Sequence, residues 1–234
     1  MNGITLPGLL VWYVVFLFST TFHEFMHAFV AYRAGDTTAY EGGQVTLDPM
    51  PHLRRSPFGM IAWPLLSFLI SGGGWMFGWA SAPYDRHWAD RNPTRYALMS
   101  ASGPLANFLL VGVGMFAIHL LMGQGLLVLS SAPRLDSLAI AARDGSPAID
   151  ALAMALSVLV SLNVVLGVFN LLPVPPLDGF SVVEGLAPRS AAGFFQTVRY
   201  TPAYQFLGLA VAWYLGPAII GPALGIAVGV LYAL

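Results

Sequence analysis

The sequence predicts an all-α polytopic membrane protein with four to five membrane segments, one of them re-entrant, and a short β element after the first helix. Three observations lead there. Of 234 residues, 57% are hydrophobic and only 9% charged, with a mean hydropathy of +0.71, whereas a soluble domain carries roughly 25% charged residues. That deficit leaves too few polar groups to cover a surface in water. Apolar stretches of the length needed to cross about 30 Å of hydrocarbon recur along the chain. The basic residues, all arginine, gather in the connections between those stretches. The length suits a single membrane domain, residues 1–234, with no large soluble module. With a net charge of −1, the expected surroundings are a lipid bilayer, and no nucleic-acid partner is expected. Having no cysteine, the chain can form neither disulfides nor thiolate metal sites. Met1 to Leu6 lacks a basic n-region, so no removable signal peptide is expected.

The first apolar segment, residues 6–32, is long enough to span and carries Thr20, Thr21, His23, Glu24 and His27 in its second half. Residues 33–95 form a connecting region. Within it, Gly43 to Asp48 alternates with period two, as a short strand does. Met60 to Ala82 is apolar but broken by Pro64 and Gly72-Gly73-Gly74. A third segment, residues 96–122, contains Gly103-Pro104 and Asn107, and a moderately polar loop, residues 123–150, follows it. A fourth helix starts near residue 151 and ends before Pro173, Pro175 and Pro176, which cannot continue it. Residues 203–234 form the last membrane segment, one kinked span or a short pair, since Gly216-Pro217 and Gly221-Pro222 interrupt it.

Chemistry concentrates in His23-Glu24-Phe25-Met26-His27. Helical positions four apart share a face, so both imidazoles can reach one metal ion. Glu24 can then hold a water as general base, which is the logic of the HExxH pattern. An ionisable residue inside a membrane segment costs roughly 2.5–3.5 kcal/mol, so three together require a function. A catalytic zinc takes three protein ligands and keeps one position open. Asp178, in the proline-broken run Asn170 to Gly179, is the candidate third ligand. A helix N-cap is the alternative for it, and the need for a third ligand favours ligation. Asn107 could touch a ligand or the substrate backbone, or equally serve as polar glue between helices. His52 reads as an interfacial histidine before a gating one, and most tryptophans suit interfacial belts.

These motifs resemble the site-2 proteases, intramembrane zinc metalloproteases of the small type without a PDZ module. His23 to Ala28 followed by Gly35-Asp36 is similar to that family's first metal motif. Gly43 to Pro49 with His52 resembles its strand segment, Gly103 to Asn107 its glycine-proline-asparagine helix, and Asn170 to Gly179 its second metal motif. The resemblance implies one Zn2+ per chain held by His23, His27 and Asp178, with Glu24 as base. It also implies Asn170 near the scissile carbonyl, where it would stabilise the oxyanion. The expected reaction is peptide-bond hydrolysis in or beside a transmembrane helix of a membrane-protein substrate. An unwound substrate could add to the Gly43 to Asp48 strand, making Val45 and Thr46 substrate contacts. The chain departs from its small relatives at Ser81, where lysine is usual, and at Arg54, where an acidic residue is common.

Topology follows from the same residues. The histidines lie late in the first span and Asp178 just past the fourth, so both must reach one membrane face. The simplest arrangement that allows this has Met60 to Ala82 dip in and return. Arg33, Arg54, Arg55, Arg86, Arg91, Arg95, Arg189 and Arg199 then share that face, with Arg134 and Arg143 opposite. The positive-inside rule makes it cytoplasmic, as in a bacterial inner membrane. The rival functions are a transporter or ion pathway, since broken helices also mark those, and an inactive zinc-binding scaffold. Oligomeric state is left open.

Overall fold

The computed structural model describes residues 4–142 and 146–233. Expectations placed on Met1 to Gly3, Arg143 and Leu234 lie outside the described residues. Among the described residues, four helices have the length and apolarity to cross a membrane: α1 (Leu6–Arg33), α6 (Pro93–Gly123), α7 (Pro147–Asn170) and α10 (Pro202–Ala233). Between α1 and α6 lie the short helices α2 (Thr38–Glu41), α3 (Pro49–Arg55), α4 (Phe58–Ile70, opening on a π turn) and α5 (Arg86–Arg91). α8 (Asp178–Leu186) and α9 (Ala192–Tyr200) connect α7 to α10.

The helix starts are written locally. Thr5 accepts from the Gly8 N–H at the head of α1, and Asp48 and Asp85 do the same for α3 and α5. Proline occupies the first turn of α6, α7 and α10, where its missing N–H costs nothing. α6, α7 and α1 pack as the central bundle. Outwardly, α6 presents Leu98, Leu105, Leu109, Val113, Phe116 and Leu120, each more than half exposed. Water would not tolerate so continuous an apolar stripe, and lipid does. α10 is one helix through Pro217 and Pro222, not a short pair.

Met60 to Ala82 does turn back. α4 rises only about 20 Å at 1.5 Å per residue, short of the hydrocarbon thickness of about 30 Å. Gly72 and Gly73 then take φ of +67° and +84°, left-handed values that suit glycine, and the chain returns alongside the helix. The Phe77 N–H donates to Ser67 Oγ, the Ser71 hydroxyl to the Trp75 carbonyl, and the Trp79 N–H to the Gly59 carbonyl at 3.0 Å. Unwound backbone is thus satisfied within the protein, as hydrocarbon demands.

Two expectations about β structure need correction. Gly43 to Asp48 is a turn and bend, not a strand. Thr46 Oγ1 accepts from the Asp48 N–H and Asp48 in turn caps α3, so local side-chain bonds outcompete an extended ladder. His52, expected at the interface, is buried and its Nε2–H donates to the Thr46 carbonyl. The β pairing seen among the described residues lies instead in the stretch expected as a loop. There β1 (Leu127–Leu129) and β2 (Ala139–Ala141) pair antiparallel, Val128 opposite Ile140. The hairpin packs on Met115, Ile118, Ala153, Val160 and Leu231, and Ser157 Oγ accepts from the Leu138 and Ala139 N–H groups.

One end of the molecule is tied by charge. Arg199 of α9 bonds Asp90 of α5 and lies 3.4 Å from Glu184 of α8, its guanidinium over the Tyr200 ring. Burial pushes the Glu184 carboxyl above its ordinary pKa, with Arg199 opposing that rise. An Arg199→Leu variant strands a buried carboxylate, which typically costs about 3–5 kcal/mol. Because a raised folded-state pKa means ionisation opposes folding as pH rises, the penalty is present at high pH and fades once Glu184 is protonated. The melting-temperature deficit of Arg199→Leu is therefore expected to be large at alkaline pH and to shrink on acidification. An unchanged deficit across pH would show that Glu184 is not its cause.

Candidate active site

Helix periodicity puts His23 and His27 one turn apart on the inward face of α1, and both are buried. α6 crosses them at Gly103. A Cβ built there would collide with Nε2 of both rings, so glycine is what lets α6 approach. The loop after α7, broken by Pro173, Pro175 and Pro176, returns to start α8 at Asp178. This places a carboxylate from a segment 151 positions downstream of His27 against both imidazoles. Asp178 Oδ2 lies 3.2 Å from His23 Nε2 and 3.3 Å from His27 Nε2, and the two Nε2 atoms are 3.0 Å apart.

Whether these residues suit a metal can be judged from their protons. His27 Nδ1 sits 2.8 Å from the Met99 carbonyl, which can only accept, so Nδ1 carries the hydrogen and Nε2 a lone pair. His23 Nδ1 sits 2.7 Å from Asn107 Oδ1. Two imidazole lone pairs and a carboxylate oxygen then face one another, an arrangement that repels itself without a cation. The three spacings are close to the roughly 3.3 Å edge of a tetrahedron with ligand bonds of about 2.0–2.1 Å. Asp178 Oδ2 and Glu24 Oε2 are buried with no hydrogen-bond partner among the described residues, which native interiors seldom allow. The donor set fits zinc. Glu24 itself is 5% exposed and Asp178 exposes 21% of its side chain, so the cluster opens on the Asp178 side.

Other expected site residues fall elsewhere. Asn107 is not a substrate contact: it is fully buried, accepting from His23 and donating to Asn163 Oδ1 at 2.7 Å. Val45 and Thr46 lack the ladder that would present them to a substrate, and the Thr46 carbonyl is taken by His52. Asn170 stands at the last turn of α7, with one of its two amide N–H groups donated to the Leu166 carbonyl. Gly103, the Met99 carbonyl and Asn163 also surround the site; the sequence places Gly103 in a motif without giving it a task there, and it does not single out the other two. Of the three, Gly103 alone carries a usable signal, since glycine inside a span marks close approach. Replacing it tests the packing directly. Gly103→Ala is expected to weaken zinc binding about ten- to hundred-fold, matching an overpacking cost of about 1–3 kcal/mol. A chelator-competition titration reads this, and wild-type affinity would mean that α6 can move aside.

Two histidines, a carboxylate and a buried glutamate after the first histidine are the donors and base of an HExxH metallopeptidase, here with the histidines and glutamate on a helix of membrane length and the carboxylate at the start of α8. The chain belongs to peptidase family M50, whose sequence model matches residues 11–215. It is 33% identical over 215 residues to "Putative zinc metalloprotease YwhC" of Bacillus subtilis, a match covering 90% of this chain and 84% of that protein. It is 30% identical over 207 residues to "Putative zinc metalloprotease Rip2" of Mycobacterium tuberculosis, covering 88% of this chain and 66% of the relative. The same-named protein of Mycolicibacterium smegmatis is 30% identical over 198 residues, covering 80% of this chain and 65% of the relative. No solved structure matches significantly. The resemblance to site-2 proteases carried by the motifs is borne out by the family match.

Proposed function

We propose that this protein is an intramembrane zinc metalloprotease that hydrolyses peptide bonds in or beside transmembrane helices of membrane-protein substrates. The observation that carries the reading is the convergence of His23, His27 and Asp178 within 3.3 Å of one another, beside a buried Glu24 whose Oε2 has no hydrogen-bond partner among the described residues. When bound, zinc would lower the pKa of a water and polarise the scissile carbonyl. His23, His27 and Asp178 would hold it. Glu24 accepts the proton of the attacking water and returns it to the departing amine, which turns one buried carboxylate into both base and acid. Asn170 donates one amide N–H to the Leu166 carbonyl, and its second amide N–H would serve the developing oxyanion.

The membrane setting supports the substrate class. The cluster sits on helices whose outer faces suit lipid, so a substrate that reaches it from the bilayer must be a membrane segment. A helix conceals its carbonyls, so such a substrate must unwind locally before attack. The arginine-rich connections gather at one end: Arg95 donates to the Ala34 carbonyl and Arg86 lies over Tyr200. That distribution supports a cytoplasmic-facing site in a bacterial inner membrane. A transporter would need the same polar residues without an HExxH base, and a scaffold would not need Glu24.

The test is cleavage of single-span peptides by zinc-loaded protein in lipid vesicles, with products mapped by mass spectrometry. Cuts within or next to the apolar span are expected. Cleavage confined to soluble extensions, with spans left intact, would contradict the intramembrane part of the reading.

A further inference from the structure

The two metal-site histidines are held differently. His27 gives its Nδ1 proton to a backbone carbonyl, a partner with fixed polarity. His23 leans on Asn107, whose amide has an acceptor end and a donor end of the same shape. Were Asn107 turned over, its NH2 would face His23 Nδ1. The ring would then move its proton to Nε2, and the lone pair needed for a metal would be lost.

What opposes that reversal lies one residue further away. Asn107 Nδ2 donates to Asn163 Oδ1 at 2.7 Å, and Asn163 Nδ2 donates to the Leu159 carbonyl and to Ser19 Oγ, each at 2.8 Å. Both asparagines are fully buried. A carbonyl can only accept, so Leu159 fixes the Asn163 amide with its NH2 toward Leu159 and Ser19. Asn163 must therefore offer its oxygen to Asn107, and Asn107 must offer its own oxygen to His23. Reversing either asparagine would bring two acceptors or two donors together in a site sealed from solvent, where an unmet polar group is costly.

We propose that Asn163 is a positioning residue for the metal centre, acting through Asn107 to keep the His23 proton on Nδ1 and its Nε2 lone pair turned to the metal. The inference rests on the zinc-site reading above and concerns residues that touch neither metal nor substrate. Three helices contribute to the relay, Ser19 from α1, Asn107 from α6 and Asn163 from α7, so the packing of the bundle also sets the state of its ligand. Loss of an outer hydrogen bond to a metal-ligating histidine typically lowers metal affinity about 10–100-fold.

The experiment is zinc affinity by chelator competition on the full chain in detergent, for wild type, Asn163→Leu and the double variant Asn107→Asp/Asn163→Leu. Asn163→Leu is expected to bind about 10–100-fold more weakly, because Asn107 is freed to turn. The double variant is expected to recover most of that loss, since a carboxylate has no N–H to present to His23. Asn163→Ala carries the same comparison if the leucine variant does not fold. Wild-type affinity in Asn163→Leu would overturn the relay, as would equal losses in the single and double variants, the signature of a packing role. A wild type that binds no zinc would instead remove the metal-site reading, and the relay with it.

Discussion

Replacing Glu24 with glutamine is expected to lower peptide hydrolysis by about 10²–10⁴-fold, the usual contribution of a positioned general base, while zinc stays bound. The substitution keeps the volume of a side chain that is 5% exposed and leaves His23, His27 and Asp178 untouched. What it removes is the ability to take a proton. Glu24 Oε2 has no hydrogen-bond partner among the described residues. Turnover and zinc content measured on one preparation separate the possibilities. Full activity in Glu24→Gln would place the base elsewhere, and an inactive but zinc-bound wild type would favour the scaffold.

Asp178→Ala is expected to reduce zinc affinity by more than the roughly 10–100-fold that follows loss of a supporting hydrogen bond. It removes a ligand that lies within 3.3 Å of both histidines. Thermal unfolding reads the same event by linkage. A ligand that binds only the folded state at 100 times its dissociation constant stabilises by about 2.7 kcal/mol. Added zinc is thus expected to raise the melting temperature of the metal-free wild type and to leave that of Asp178→Ala nearly unchanged. An equal rise in both would mean that zinc is held without Asp178.

Features that depend on residue type and local spacing are legible in the sequence alone. The four long helices follow from apolar length, and the return of the Met60 to Ala82 segment from Pro64 and the glycine triplet. The histidine pair is visible because both members sit on one helix at a fixed offset. Asp178 is reached by asking what a third ligand would be and by the resemblance of Asn170 to Gly179 to a metal motif, since the contact joins segments far apart in sequence. Where sequence and structure part, the causes are physical. Val45 and Thr46 sit in a stretch with strand-like alternation, but Thr46 and Asp48 bond locally and Pro49 opens a helix. The hairpin at Leu127 to Ala141 is concealed by the polar residues of its own turn. The tasks of Asn107 and Asn163 depend on which end of an amide faces which neighbour, and that is decided by packing. The Met99 carbonyl, which orients His27, belongs to the backbone and has no signature in the sequence.

The proposed zinc site joins two distant segments of the chain through two imidazoles and a carboxylate. Zinc K-edge X-ray absorption of the metal-loaded wild-type protein tests it most directly. One zinc per chain is expected, with two imidazole ligands and oxygen donors at about 2.0–2.2 Å. A folded protein that retains no zinc, or a bound zinc without two imidazoles, would contradict it.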